Sequence, residues 1–273
     1  MSANVEIKRV KEWAWMRGFA NLYQKESRAW WSTRRWWING LLWLGLAVGL
    51  VATMIFLMPA IAAATGTTTA VAEAGGLMQL GLKAFFELGA LAIAIGVIVL
   101  CQDLIIEEKQ TGLAEWLLAK PVQRKAYVLA KLCSSLVAVL LLMIALPGAA
   151  AYGVLSLGTG ESLSLAPYLA GMGIVILHSL FYLTLTLMLG VFFSSRSPVL
   201  GIALVIVLTG FLFSSLLQPL LYVSPWMLPA LAELTAGNQA VPSWLLWPPL
   251  LATVLWCVVF TCAALIKFEH TEF

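Results

Sequence analysis

The sequence predicts an all-α integral membrane protein with six transmembrane helices. Hydrophobic residues make up 62% of the chain and charged residues 11%, against about 45–50% and about 25% in soluble domains. The apolar residues are also gathered into runs long enough to cross about 30 Å of hydrocarbon as helices. Three further elements are predicted: an N-terminal interfacial helix, a short helix between spans two and three, and short helices between spans five and six.

Residues 1–37 form the first predicted unit, an amphipathic helix at the membrane interface. Trp13, Met16, Ala20 and Tyr23 share one helical face, which places aromatic groups in the headgroup zone and the basic residues towards anionic lipid. No apolar stretch follows the first charges closely enough for a signal peptide. Attachment to a span argues against nucleic acid as the partner of this basic, aromatic run. Tryptophans mark the depth at which the first span enters, namely Trp30, Trp31, Trp36 and Trp37.

Residues 38–273 form a single six-span domain. The predicted spans are Ile38 to Ala60, Gln79 to Cys101, Tyr127 to Leu155, Pro167 to Phe193, Pro198 to Gln218, and Pro248 or Pro249 to Ile266. We expect Pro147 to bend the third span, because proline removes a backbone donor. The segment between spans five and six is too apolar for a free loop, and Pro219, Pro225 and Pro229 oppose an uninterrupted crossing helix. Short re-entrant or interfacial helices are therefore predicted, with a seventh span as the alternative.

The orientation of this topology follows from its basic residues. Every Lys and Arg except Lys83 falls on one side of the six predicted spans. Because cytoplasmic loops are enriched in Lys and Arg, this side is predicted to face the cytoplasm, with both termini and Arg196 on it. The chain is thus expected in the cell membrane, as a multi-pass protein.

The segment 103–131 is the only long charged stretch between apolar runs. Within it, Leu113, Trp116 and Leu117 have the i, i+3, i+4 spacing of one helical face. The residue before Pro121 is pushed out of the helical region, and Pro121 suits the first position of the next helix. The bend would present an apolar knob, which either docks into a groove on a partner protein or lies on lipid headgroups.

Spans two and four carry ionisable side chains. Lys83 and Glu87 are one helical turn apart in span two, where a charge costs about 2.5–3.5 kcal/mol and marks a functional candidate. The alternative is that the span begins nearer Leu88, which leaves both residues at the outer interface. His178 lies in span four.

The glycines, cysteines and histidines of the sequence do not indicate a catalytic or metal site. Gly45 and Gly49 in span one form a small-xxx-small pair, which permits close approach of another helix. The sequence has no glycine-rich phosphate loop ending in Gly-Lys-Ser or Gly-Lys-Thr, and its four cysteines have no CxxC spacing. Its two histidines are too few and too far from a nucleophile for a triad. We therefore predict no catalytic residue and no metal site.

One enzyme class needs separate exclusion. Glu107 and Glu108 resemble the start of the paired-glutamate motif of intramembrane CAAX-type proteases. Position 112 is glycine where that motif has arginine, and no later span supplies its histidine pattern. A solvated charge cluster at the membrane edge is the simpler interpretation of the pair.

The charged segment does resemble a known signature. The run Glu107-Glu108-Lys109-Gln110-Thr111-Gly112, followed by Glu115 to Val122, Arg124 and Lys131, is similar to the cytoplasmic signature of ABC-2 type transporter permeases. The similarity is greatest to short permeases of the kind associated with drug, sodium or copper-enzyme maturation exporters. Residue 113 is leucine where many relatives have glycine followed by threonine or serine. The N-terminal helix, six spans and short outer helices extend the resemblance over nearly the whole chain.

The resemblance implies a permease subunit that couples ATP hydrolysis by a separate ATPase to export by alternating access. ATP and Mg would be bound by that ATPase, and two identical permease copies would face two ATPase copies. The short helix becomes a cytoplasmic coupling helix, and the implied ATPase-coupling residues are Glu107, Glu108, Gly112, Leu113, Glu115, Trp116, Leu117, Leu118, Pro121 and Arg124. Lys83, Glu87 and His178 are candidates for the translocation path, and Gly45 and Gly49 for the dimer seam. A membrane anchor that holds a cytoplasmic partner is the alternative function.

Overall fold

The computed structural model describes residues 16–66, 76–119, 122–213 and 218–270, and these ranges are helical with no strand. Trp13 of the predicted interfacial face and Pro121 of the predicted bend lie outside them. The helices are α1 (Phe19–Trp31), α2 (Trp36–Thr65), α3 (Leu77–Gln110), α4 (Leu113–Leu118), α5 (Arg124–Thr159), α6 (Leu165–Phe192), α7 (Arg196–Phe213), α8 (Gln218–Leu221), α9 (Leu228–Ala236) and α10 (Ser243–Glu269).

Five of the described helices are long and apolar enough to cross a membrane, namely α2, α3, α5, α6 and α10. They contain 27 to 36 residues each. The apolar part of α7 is shorter, from Arg196 to Leu212, or about 26 Å at 1.5 Å per residue. The all-helical membrane fold is confirmed, whereas the count of six spans, which depends on α7, stays a prediction.

Helix α6 is the centre of the bundle. In its most apolar stretch 78% of the residues are buried, against 22% in α2 and in α10. Helix α6 packs against α3, α9 and α10. The outer helices α2 and α10 turn broad apolar surfaces away from the bundle, as expected of helices whose solvent is lipid.

The described boundaries differ most from the prediction at the end of span two. The predicted span stops at Cys101, but α3 continues through the charged residues to Gln110. Hydropathy marks where the hydrocarbon ends, whereas Glu, Lys and Gln favour helix and continue it into water. Gly112, with a φ of 70°, ends this continuation and begins α4.

Three of the described helices contain a π-helical segment. The segments Thr53–Leu57 in α2 and Leu140–Ala145 in α5 immediately precede turns that contain Pro59 and Pro147. Because proline lacks an N–H group, the regular hydrogen-bond ladder is interrupted at that point, and a wider turn accommodates the interruption. The third segment, Ala84–Gly89 in α3, has no proline and carries Glu87.

The inner face of α1 includes residues that do not belong to the predicted aromatic face. Leu22 and Glu26 are buried against the bundle, while Ala20 is exposed and Tyr23 is half-buried. Helix α1 packs mainly on α5. The sequence pattern gave no prediction for Glu26, because the spacing of apolar residues alone does not reveal the partner of a buried charge.

Short helices occupy the described part of the segment between α7 and α10. Helix α8, the 3-10 turn Pro225–Met227 and helix α9 follow one another there, and no spanning helix lies among residues 218–236. Helix α9 packs against α6 and α3. The described residues therefore give no support to a seventh span, and the re-entrant position of these helices stays a prediction.

One close contact tests the packing of α2 on α3. A Cβ atom at Gly96 would lie 2.1 Å from Cζ2 of Trp43. We expect Gly96→Ala to displace that indole and to lower the free energy of unfolding by about 1–3 kcal/mol. The matched control is Gly173→Ala in α6, where a Cβ meets nothing within 4 Å. Thermal unfolding in detergent measures both variants, and equal stability of the two would contradict the α2–α3 contact.

Candidate functional site

The charged end of the bundle, defined as the end that carries α1 and α4, holds the predicted coupling segment. Trp116 is 59% exposed and Glu115 is exposed, while Ala114 is fully buried. Leu117 packs partly against the core, and Leu113 is half-buried. The three apolar residues of the predicted knob therefore do not form one exposed face. A six-residue helix at the edge of a bundle buries one side against it, and Trp116 is the large apolar side chain that projects outwards.

Next to α4 lies the charge cluster, which we define as Lys25, Glu26, Glu108, Tyr127 and Lys131. The Lys131 side chain is 3% exposed, and its Nζ lies 3.1 Å from Glu26 Oε1 and 3.1 Å from Glu108 Oε2. Lys25 forms ion pairs with the same two carboxylates. The Tyr127 hydroxyl donates a hydrogen bond to Glu108. Two cations thus balance two anions, as buried charges require.

The charge cluster connects three helices that are distant in sequence. Glu26 belongs to α1, Glu108 to α3 and Lys131 to α5. The ring of Tyr127 also stacks on Phe268 of α10, with centroids 5.0 Å apart. A displacement of any one of these helices at the charged end would therefore pull on the others. Glu108 forms ion pairs with two lysines. A structural charge cluster therefore accounts for the pair of adjacent glutamates, and no protease motif is needed to explain it.

The end of α3 is attached to α6 and α7 as well. Lys109 Nζ donates hydrogen bonds to the carbonyl oxygens of Gly190 at 3.0 Å and Val191 at 2.6 Å. These carbonyls belong to the last turn of α6, where a cation is favourable. Arg196 at the start of α7 lies 2.7 Å from Asp103. The segment that leads into α4 is thus held on several sides.

The remaining predicted coupling residues divide between two places. Glu107, Glu108 and Leu113 line a cleft of about 510 Å³ between α1 and α3. Arg124 lies instead beside α10, where its Nη1 donates to the carbonyl oxygen of Glu269 at 2.8 Å. The side chain of Leu118 and all of Pro121 are outside the described part of the chain. Sequence reasoning missed Lys25, Glu26 and Tyr127 as members of this site, because their partners lie on other helices.

A second candidate site lies at the opposite end of the bundle. A cavity of about 330 Å³ is lined by α3, α6, α7 and the short helices that follow α7. We call it the outer cavity. It brings together Glu87 and His178, which are 91 positions apart in sequence, so two of the three predicted path residues share one site. Lys83 is exposed and does not line the cavity.

The Glu87 carboxylate and the His178 Nδ1, which line the outer cavity, have no hydrogen-bond partner among the described residues. His178 is 4% exposed, and its Nδ1 has no hydrogen-bond partner among the described residues. Glu87 is half-buried on its π-helical segment. Within the described ranges no hydrogen bond engages the Glu87 carboxylate, and no cation lies within 4.0 Å of it, Lys83 included.

The aromatic wall of the outer cavity is held in place. Trp226 Nε1 donates to the carbonyl oxygen of Ile206 at 3.0 Å. The indole lies against Gly210, where a Cβ atom would be 2.1 Å from the ring. Tyr182 packs edge-on against His178, with centroids 5.1 Å apart. The absence of a side chain at Gly210 therefore leaves the space that the Trp226 indole occupies.

A second carboxylate lies close to the cavity on α9. Gln79 Nε2 donates a hydrogen bond to Glu233 Oε1 at 3.2 Å. Burial and then the nearby Glu87 carboxylate raise the pKa of Glu233, against the opposing effects of Lys83 and of the Gln79 amide. Two carboxyl groups, Glu87 and Glu233, thus lie in or near the cavity, and Glu233 favours its neutral form.

These observations define a multi-pass helical membrane protein with a projecting helix at its charged end and a cavity at the other. A family model described as ABC-2 family transporter protein matches residues 20–273, and the chain belongs to that family. The resemblance found in the sequence is thereby confirmed. The chain is a permease subunit of an ABC transporter, which is a non-catalytic transmembrane component. A search of the curated proteins finds no match.

Proposed function

We propose that the chain is one of two identical permease subunits of an ABC exporter in the cell membrane. Its charged end and both termini face the cytoplasm, and α4 docks on a separate ATPase subunit that binds ATP and Mg. The observation that carries this proposal is the exposed Trp116 on a short helix next to the charge cluster. An apolar side chain projecting from a helix suits the helix-in-groove mode of recognition.

The attachments of α4 suggest how a movement would be transmitted. Closure of the ATPase dimer would displace α4, and with it the end of α3. Through Glu108 and Lys131 the displacement reaches α1 and α5, and through Lys109 it reaches α6. Packed helices respond to such a displacement by rigid-body rotation, which is the movement that alternating access requires.

The sixth span and the orientation have separate support. Helix α7 begins at the charged end, where Arg196 pairs with Asp103, and its later part contacts Trp226 at the opposite end. These two contacts support α7 as the sixth crossing, despite its shorter apolar stretch. Six crossings would put both termini on one side, together with every described Lys and Arg except Lys83, in agreement with the excess of basic residues in cytoplasmic loops.

The outer cavity is the part of the translocation path that the chain can form by itself. Glu87 and His178 line it, and Lys83 lies one helical turn before Glu87 on α3. Glu87 belongs to a π-helical segment, and such segments are frequent at functional sites. These features support a polar contact for a substrate among apolar walls.

The proposal is tested against the anchor alternative by measuring ATP hydrolysis. The chain is co-expressed with its ATPase subunit and reconstituted in lipid, and vanadate-sensitive hydrolysis is compared with that of the ATPase alone. We expect hydrolysis to depend on the chain, because a permease controls closure of its ATPases. Co-purification of the two proteins without any change in hydrolysis would favour an anchor.

The seam between two copies is proposed to include Gly45 and Gly49. Both residues are exposed, and a Cβ at either meets nothing within 4 Å in this chain, so a second helix could approach closely. In a background without the native cysteines, Gly45→Cys should form a disulfide-linked dimer in the membrane, whereas Gly201→Cys, equally open but on α7, should not. Only monomers alongside intact transport would contradict the dimer.

A further inference from the structure

We propose that the outer cavity binds a hydrophobic organic cation. This inference rests on the proposed function, since it names the class of substrate that would pass through the cavity. It is carried by the charge, the walls and the unsatisfied polar groups of the cavity, which are considered in turn below.

The acidic side chain in the cavity favours a cationic ligand. Glu87 lines the cavity without a hydrogen bond or ion pair to any described residue. Glu87 is half-buried, so its carboxylate is open to a ligand that enters the cavity. A cationic ligand would pair with this carboxylate among apolar side chains, where an ion pair is stronger than in water, whereas an anionic ligand would be repelled by it.

The apolar and aromatic walls of the cavity favour an organic ligand. Tyr182, Phe211 and Trp226 line the cavity together with aliphatic side chains. Aromatic faces attract organic cations, and the attraction grows where water is excluded. The volume of about 330 Å³ lies within the range of about 300–1,000 Å³ that is typical of small-molecule sites. By contrast, no group of three or more metal-ligating side chains occurs among the residues described, so a bare metal ion would lack its ligands.

His178 adds a directional contact. Its buried Nδ1 has no partner in the described part of the protein, and buried polar atoms in folded proteins are rarely left unsatisfied. The imidazole lines the same cavity as Glu87. A ligand that carries a hydrogen-bonding group beside its positive charge would satisfy both side chains at once. The site is therefore built for a cation with an aromatic or aliphatic body and at least one polar substituent.

The test uses the full-length permease alone, in lipid nanodiscs, with ethidium as the probe. Ethidium is a permanent aromatic cation with amino substituents, and its fluorescence reports transfer to an apolar site. We expect saturable binding above the signal of empty nanodiscs. Glu87→Gln should weaken this binding about tenfold or more, because the negative charge that attracts the cation is lost, and Glu87→Asp, which keeps that charge, should retain most of the affinity.

The matched control is Glu161→Gln, which removes the same charge from an exposed position at the same end of the bundle without touching the cavity. We expect it to bind ethidium as the unmodified protein does. Elution as a single species and an unchanged melting temperature show that each variant is folded. Absence of saturable binding, or equal affinity of the Glu87→Gln and Glu161→Gln variants, would overturn the proposal. Because no ATPase takes part, this outcome is distinct from failure of the ATPase coupling.

Discussion

Replacement of Trp116 by glutamate is expected to abolish the stimulation of the ATPase while the permease still folds in the membrane. The side chain is 59% exposed on α4, so its removal leaves no cavity in the bundle. Tryptophans at the centre of an interface commonly contribute about 2 kcal/mol or more, and a carboxylate placed in an apolar groove adds a desolvation penalty. Together these effects correspond to an affinity loss of about thirtyfold or more.

The control for this variant is Trp244→Glu. Trp244 is 66% exposed at the first turn of α10, at the opposite end of the bundle. Both variants change an exposed tryptophan to the same charged residue, but only one changes α4. Pull-down of the ATPase and its vanadate-sensitive hydrolysis are measured for each. Equal hydrolysis and equal pull-down for the two variants would contradict docking by α4. Leu117→Glu is less informative, because Leu117 packs partly against the core.

Replacement of Lys131 by methionine is expected to give the largest loss of stability. The variant leaves the carboxylates of Glu26 and Glu108 with Lys25 as their single cation in the charge cluster. Removing one partner of a buried ion pair costs about 3–5 kcal/mol. We expect a lower melting temperature in detergent. We also expect α1 to separate from α5, because Lys131 of α5 is the partner of Glu26 of α1. Release is measured as faster maleimide labelling of a cysteine placed at Leu22.

Lys125→Met provides the comparison on the same helix. Lys125 pairs with Glu269 at 3.2 Å, and both side chains are about half exposed. Such surface pairs contribute about 0–1 kcal/mol, so the melting temperature should hardly change. A Lys131→Met protein as stable as Lys125→Met, with equally slow labelling at position 22, would show that the charge cluster does not hold α1.

The spans could be predicted because hydropathy reports directly on the lipid solvent. The apolar runs predict α2, α3, α5, α6 and α10, and each is present. The end of α3 could not be predicted in the same way. It is set by helix propensity beyond the hydrocarbon and by the positive φ of Gly112, neither of which affects hydropathy.

The partners within each site were harder to predict than the sites themselves. The motif around Glu107 and Trp116 located the charged end, but Glu26 and Lys131 are 105 positions apart, and no local pattern pairs them. Glu87 and His178 were identified separately as ionisable residues in spans. Their common cavity exists only because α3 packs on α6, which is a property of the tertiary structure.

The most direct test of the account is photo-crosslinking from position 116 in intact membranes. A benzoylphenylalanine residue replaces Trp116 in one protein and Trp244 in another, and both are irradiated with the ATPase subunit present. We expect the probe at position 116 to form a covalent adduct with the ATPase subunit, and the probe at position 244 to form none. Adducts of the probe at position 116 with lipid alone would show that α4 lies on the membrane surface, and would contradict its role in coupling.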